Sequence, residues 1–202
     1  AASRGTALGE LTEDRPKAMI EVQGQPLLGQ IISVYNASGI KKITVVRGYK
    51  AEMVNLQSID CVDNAEYADT GELYSLQCAL AANDDNERDL YVSFGDVLFK
   101  RYIVDSLAEH DEDFVSAVDA DWQDSVNRGR AADYVSCSDP NTRHAFNSRV
   151  LLTGAGEDLA EAAINGEWTG IMRVSAAALP RLREQVAAMI SEPGNRKARL
   201  HN

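Results

Sequence analysis

The sequence predicts an α/β domain with a mostly parallel, mixed sheet and helices on both faces. Short runs of β-branched and aromatic residues alternate with amphipathic stretches of helical period along the chain. That alternation is the signature of strands joined by crossover helices. A length of 202 residues suits one domain, 1–202, with a core large enough to need no disulfide or structural metal.

Leu27, Leu28, Ile31, Ile32 and Tyr35 recur at helical spacing from Pro26 to about Ser38, and Gly39 closes that helix. Lys42-Ile43-Thr44-Val45-Val46 reads as a strand, and Ile59 to Val62 as another. Leu73, Leu76 and Leu80 mark a helix reaching Ala82. Leu90-Tyr91-Val92-Ser93-Phe94 is a strand ending at Gly95-Asp96. A helix around Tyr102 to Leu107 and a strand from Phe114 to Val118 follow. From about Asp121 to Arg149 the chain turns polar, rich in Arg and Asp, interrupted by Tyr134-Val135. A last strand is expected at Ile171 to Val174 and a long helix at Ala176 to Ile190. Ligands of such sheets bind outside the carboxyl ends of the strands. The loops after Ala2, Val46, Phe94 and Val118 are therefore where function is sought. The chain opens on a glycine-bearing loop with no strand to feed it and closes on a basic, irregular tail, Asn195 to Asn202. The start of a first strand and a C-terminal segment are expected to lie outside it.

Composition narrows the function. A formal charge of −11 argues against non-specific nucleic-acid binding, which needs a basic face. A site for any anion must gather its cations locally. No run approaches the roughly 18 apolar residues of a membrane span, and no apolar leader is visible. The cysteines, Cys61, Cys78 and Cys137, are widely spaced and lack a C-x-x-C pair, which suggests a reducing, cytoplasmic setting with buried or inert thiols. The histidines, His110, His144 and His201, show no metal-ligand spacing, and His110 reads as structural. The absence of G-x-G-x-x-G weighs against a dinucleotide-binding oxidoreductase.

The first informative segment runs Ala1-Ala2-Ser3-Arg4-Gly5-Thr6-Ala7-Leu8-Gly9-Glu10-Leu11-Thr12-Glu13-Asp14-Arg15-Pro16-Lys17. Small residues and glycine let a backbone wrap a polyphosphate with its N–H groups exposed. Arg4, Arg15 and Lys17 supply positive charge nearby. In order of residues this segment resembles the N-terminal signature of the sugar-nucleotidyltransferase family, A-A-G-x-G-T-R-L, then L-T, then P-K. Ile20-Glu21-Val22-Gln23-Gly24-Gln25-Pro26-Leu27-Leu28, Gly39-Ile40, Ile43-Thr44-Val45-Val46 and Gly48-Tyr49 continue the match. The resemblance implies a Rossmann-like nucleotidyltransferase (glycosyltransferase-A-like) fold. It makes Ala2, Ser3, Arg4, Gly5 and Thr6 nucleotide-binding. Lys17 becomes the catalytic cation at the α-phosphate and Asp96 the catalytic carboxylate that holds Mg²⁺. Ser3 stands where the family usually has glycine, and Ala7 where it usually has the arginine that helps hold the triphosphate; Arg4 or Arg15 could take that part. The family's second metal carboxylate is not placed in this chain, and Asp119 and Asp121 are local alternatives.

Tyr67-Ala68-Asp69-Thr70-Gly71-Glu72-Leu73-Tyr74-Ser75-Leu76 resembles the block with which choline-phosphate and related cytidylyltransferases contact base and ribose. Gly71 and Glu72 replace a pair of asparagines. Thr70, Gly71 and Ser75 are thereby nucleotide-binding candidates, although on its own Thr70 reads as a helix N-cap. Val118-Asp119-Ala120-Asp121-Trp122, Arg128-Gly129-Arg130-Ala131-Ala132-Asp133-Tyr134-Val135 and Gly166-Glu167-Trp168-Thr169-Gly170 are similar to the nucleotidyltransferase domains that accompany phosphoenolpyruvate mutase in phosphonate biosynthesis. Asp119, Arg128, Arg130, Glu167 and Trp168 are then the acceptor-binding candidates. Guanidinium forks suit phosphonate oxygens, and an indole face suits an amine. The implied reaction is transfer of CMP from CTP to 2-aminoethylphosphonate or 2-hydroxyethylphosphonate, with a mutase domain fused or paired as partner. A sugar 1-phosphate or phosphocholine acceptor, and a silent nucleotide-binding regulatory module, are the alternatives.

Overall fold

The apolar period at Leu28, Ile31, Ile32 and Tyr35 builds α1 (Leu27–Ala37) and buries all four side chains. Gly39 ends the helix as expected, because its φ of 86° reverses the chain where a Cβ would be strained. The computed structural model describes residues 1–124, 132–139, 149–156 and 158–200. Ahead of α1, Glu21–Val22 (β1) and Gln25–Pro26 (β2) form a small antiparallel hairpin. Its turn, Gln23-Gly24, takes positive φ at both positions, which suits the twist of a tight hairpin. Next come β3 (Thr44–Arg47), β4 (Asp60–Asp63), α2 (Glu72–Ala82), β5 (Leu90–Ser93), α3 (Arg101–Ala108) and β6 (Phe114–Asp119). Each lies within a residue or two of its expected position. The remaining elements are β7 (Tyr134–Cys137), β8 (Leu152–Ala155), β9 (Gly166–Val174) and α4 (Leu179–Ser191).

The strands form a mixed system with a larger antiparallel share than the strand–helix alternation implied. β3 and β4 pair in parallel, Thr44 opposite Asp60. In the larger sheet β9 is central and runs against its neighbours. Val174 is paired with Leu90 of β5 and also with Phe114 of β6, so these strands flank β9 and run parallel to one another. Farther along β9, Glu167 is paired with Asp119 on β6 and with Tyr134 on β7. β8 completes the sheet against β7. The sequence shows only the Ile171–Val174 half of β9, because Gly166 and Gly170 break the apolar run. Gly166 is needed there, since a Cβ would come within 2.5 Å of Val118 Cγ1.

Helices cover both faces. Ile31, Tyr35, Val104, Leu107 and Ile171 join α1 and α3 to one face, with Tyr91 packed against them. Leu73, Leu76, Leu80 and Val186 join α2 and α4 on the other, with Leu90 and Val92 against them. β5 thus sends successive side chains to opposite cores, the period of a strand buried on both faces. The helix expected from Ala176 begins later. Ala176–Ala178 is a 3₁₀ turn capped by Ser175, and α4 starts at Leu179 with Pro180 in its first turn, where its missing N–H costs nothing.

The C-terminal stretch is not the irregular tail its composition suggests. Pro193–Lys197 forms a 3₁₀ turn, and Ala198 and Leu200 enter the α2–α4 core. Arg173 on β9 carries its charge into the buried interior. Its guanidinium donates to the carbonyls of Leu107 (3.2 Å) and His110 (2.6 Å) at the end of α3 and pairs with Asp89 at 3.4 Å. A buried cation is tolerated only with such partners. Burial pushes the Cys78 and Cys137 thiols up, in keeping with inert cysteines. Cys61 departs from that expectation: it is exposed on β4, which pairs with β3. No helix among the described residues is long and apolar enough to cross a membrane.

Candidate active site

The loop before α1 folds around two conformational requirements. Gly5 has a φ of 76°, and a Cβ there would lie 2.9 Å from Lys17 Cβ. Only glycine lets the loop return against the lysine stem. Thr12, fully buried, closes the loop from inside: its hydroxyl lies 3.3 Å from the Gly5 carbonyl and 3.2 Å from that of Gly9, the acceptors open to it. Tyr49, in the loop after β3, ties the far side. Its N–H donates to the Ala2 carbonyl (2.9 Å) and its hydroxyl to the Glu13 carbonyl (2.6 Å). Gly48 makes that approach possible, since a Cβ would come within 2.6 Å of the Ala2 oxygen.

Lys17 and Asp96, the expected catalytic pair, are brought together. Lys17 Nζ lies 2.6 Å from Asp96 Oδ2, although the residues sit on the N-terminal loop and at the end of β5. Both line a cleft of about 1540 Å³ together with Ala2, Ser3, Thr70, Gly71, Ser75, Asp119, Glu167 and Trp168. The same cleft runs down between β3 and β5, where Val45 and Tyr91 line it. Arg4, Gly5 and Thr6 lie outside its wall. Arg4 instead stacks its guanidinium over the Tyr49 ring at 5.4 Å, and its Nε is buried without a partner among the described residues. Arg15 is held by Asp14 at the surface through a two-bonded contact (2.9 and 3.0 Å). Of the basic residues in this loop, Lys17 is therefore the one that faces the cleft.

The base-side residues take a form the sequence does not foretell. Asn64 is buried, and its amide donates to Thr70 Oγ1 (3.0 Å) and Ser75 Oγ (3.2 Å). Thr70 in turn donates to the Glu66 carbonyl at 2.8 Å. Thr70 is not the N-cap of α2; that place belongs to Gly71, which has no capping side chain. The sequence does not single out Asn64, because an isolated asparagine after a strand carries no pattern. Glu66 accepts from Tyr74 (2.6 Å) and pairs with Arg196 (2.6 Å). Those contacts, the tyrosine first, hold its carboxyl below the usual carboxylate range.

On the acceptor side, Asp119 and Glu167 are directly opposite across β6 and β9, so their side chains share a face. Asp119 Oδ1 accepts from the Asp121 N–H at 3.0 Å. Trp168 is 6% exposed, its indole N–H donates to the Ile171 carbonyl (3.1 Å), and Phe94 packs edge-on against it at 5.2 Å. It backs the cleft while belonging to the core. Arg128 and Arg130 lie outside the described residues, as do His144 and His201. Among the described residues no group of three or more His, Cys, Asp or Glu is gathered for a metal. Lys197 and Arg199 of the C-terminal stretch and Asp133 before β7 also line the cleft, and none was singled out from sequence.

Comparison with known proteins gives this arrangement a context. The family model of the MobA-like NTP transferase domain matches residues 1–199. The chain is 33% identical over 137 residues to UTP–glucose-1-phosphate uridylyltransferase AglF of Haloferax volcanii, covering 64% of this chain and 56% of the relative. It is 28% identical over 130 residues to the CTP:phosphoglutamine cytidylyltransferase of Campylobacter jejuni, covering 60% and 51%. It is 29% identical over 103 residues to the 2-aminoethylphosphonate cytidylyltransferase of Lancefieldella rimae, covering 46% and 42%. The matches thus span about half the length of these relatives. The fold is similar to that of the inositol-1-phosphate CTP transferase from T. maritima, with a TM-score of 0.73 at 16% identity over 100% of this chain and 76% of that one.

Proposed function

We propose that this chain, which belongs to the MobA-like NTP transferase domain family, transfers CMP from CTP to a small phosphonate, 2-aminoethylphosphonate or 2-hydroxyethylphosphonate, and releases pyrophosphate. The observation that carries the reading is the 2.6 Å contact between Lys17 Nζ and Asp96 Oδ2 inside one open cleft. A cation and a carboxylate are held at adjacent loop ends, where α/β sheets present their ligands. The cytidine and phosphonate parts of the proposal draw on the cytidylyltransferase relatives.

An acceptor oxygen attacks the α-phosphorus in line. The new P–O bond forms as the bond to the β-phosphate oxygen breaks, and pyrophosphate carries away the charge. The acceptor is already an anion, so no strong general base is required. Lys17 offsets charge growing on the α-phosphoryl oxygens, an electrostatic role suited to a fixed cation. Asp96, paired with Lys17 in this structure, would be the carboxylate that holds Mg²⁺. One hard carboxylate suits this ion, which takes its other oxygens from phosphates and water; among the described residues there is no all-protein cage to prefer another metal. Mg²⁺, when bound, neutralises phosphate charge and orients the triphosphate.

The test is pyrophosphate release by the full-length protein with Mg²⁺ and CTP against 2-aminoethylphosphonate, 2-hydroxyethylphosphonate, phosphocholine and glucose 1-phosphate. Release with a phosphonate alone is the expected result. Release with glucose 1-phosphate or phosphocholine alone discards the phosphonate and keeps the chemistry, a reading favoured by the likeness to the glucose-1-phosphate uridylyltransferase. Binding of CTP with no release on any acceptor favours a regulatory module, in line with Ala7 standing at the family's arginine position.

A further inference from the structure

We infer that the segment from Pro193 to Leu200 is the base-side wall of the nucleotide site, and that nucleotide selection is made against it. The inference rests on the nucleotide-transfer reading above. The segment lies across the start of α2 as a ladder. The Gly71 N–H donates to the Arg196 carbonyl (2.7 Å), and the Leu73 N–H donates to the Ala198 carbonyl (3.2 Å). In the other direction the Leu200 N–H donates to Glu72 Oε2 at 3.2 Å. Three anchors hold the ladder. Ala198 and Leu200 enter the apolar cluster of Leu73, Leu76 and Leu80. The Arg196 guanidinium pairs with Glu66 at 2.6 Å and stacks over the Tyr74 ring at 5.4 Å. Arg199 meets Asp133 at 3.5 Å.

The start of α2 is shaped for this segment. A Cβ at Gly71 would lie 2.6 Å from the carbonyl carbon and oxygen of Lys197, both backbone atoms that cannot turn aside. Any side chain at 71 therefore excludes the docked segment. Gly71 and Glu72, the positions that depart from the asparagine pattern, are among the residues it touches through hydrogen bonds.

The residues expected to read the base are otherwise engaged. The Thr70 and Ser75 hydroxyls accept from Asn64 and brace the turn, and the Gly71 N–H is taken by Arg196. Beside them at the cleft, Lys197 and Arg199 share its lining with Lys17 and Asp96. In a chain of net charge −11 these are cations delivered where an anionic ligand needs them. The docked segment leaves the cleft open at about 1540 Å³, so it borders the site and does not plug it.

Arg196, Lys197 and Arg199 make the segment a trypsin target, which supplies the test. The full-length protein is digested with and without Mg²⁺–CTP, with nucleotide binding measured by calorimetry in the same buffer. Bound CTP should slow cleavage at 196–199. Binding with unchanged or faster cleavage overturns the wall, faster cleavage being the mark of a displaced plug. Failure to bind any of CTP, UTP, ATP and GTP sinks both this inference and the function it rests on. Two full-length variants sharpen the result: Gly71→Ala, which evicts the segment sterically, and Ala198→Glu, which undocks it without touching α2. Each should shift the ratio of UTP to CTP dissociation constants by about tenfold and restore fast cleavage. A ratio unchanged in both variants, with cleavage restored and the circular dichroism spectrum intact, overturns the inference.

Discussion

The two walls of the cleft are made in different ways. The wall of residues 2–17 is local: Gly5, Thr12 and Lys17 shape one another within a single loop, and Tyr49 clamps it from the next strand end. The base-side wall is assembled across the chain, for Glu66 and Arg196 are 130 positions apart. A local wall keeps its geometry through conformational restriction of a few residues. A distant one depends on packing and on every contact that docks its parts. The first should be stiff and intolerant of single atoms, the second conditional on solvent and on its anchors.

The largest effect should come from the local wall and the carboxylate that meets it, Asp96. Lys17→Ala and Asp96→Ala are each expected to lower turnover by about 10²–10³-fold, the scale of a lost transition-state charge contact, while thermal melts stay close to wild type. Pyrophosphate release measures the first and circular dichroism the second. A variant with wild-type turnover removes its residue from the mechanism.

An intermediate effect falls on the brace of the other wall. Asn64→Ala removes the buried amide from which the Thr70 and Ser75 hydroxyls accept and should cost about 1–3 kcal/mol in urea unfolding. CTP affinity should fall with it, whereas the reactivity carried by Lys17 at saturating nucleotide should not. If stability is unchanged, the brace holds nothing and the base-side wall is pinned elsewhere.

The smallest effect is electrostatic and belongs to the docked segment. Glu66 is held below its ordinary pKa of 4.5 by Tyr74 and Arg196. A carboxylate depressed on folding contributes stability that is present above the unfolded value and lost as pH falls through the folded one. Docking should therefore be complete at neutral pH and loosen only below about 4.5, read as tryptic or peptic sensitivity of residues 193–200. Glu66→Gln should abolish that acid dependence and leave the Lys17–Asp96 wall unaffected. Because the pair is exposed and screened by salt, the change is expected to be small.

Much of this molecule is legible along the chain. Leu28, Ile31, Ile32 and Tyr35 announce α1 because a helix must bury one stripe, and Leu73, Leu76 and Leu80 do the same for α2. Gly5, Lys17 and Asp96 are readable because the first sits in a tight loop and the others where loops and strand ends present chemistry. β7, β8 and the first half of β9 are not. Glycine breaks the runs of β8 and β9, β7 is only four residues long in a polar stretch, and their pairing is set by Gly166 fitting between Val118 and Val135. Trp168 illustrates the ambiguity well, since an indole that lines a cleft and an indole that packs a core look alike until Phe94 and the Ile171 carbonyl are placed around it.

By itself, then, the order of residues determined the α/β class, the elements of strong period, and the loop wall of residues 2–17, whose constraints are short-range. Short-range constraints are written in neighbouring residues, because a positive φ or a close approach demands a particular residue at a particular place. Only the tertiary structure decided that Lys17 meets Asp96, that Asn64 turns Thr70 and Ser75 inward, that Arg4 leaves the cleft for Tyr49, and that residues 193–200 complete the base side. Those are contacts between groups remote in sequence, and each depends on the summed packing of the strands and helices that carry them. No local pattern encodes such a sum.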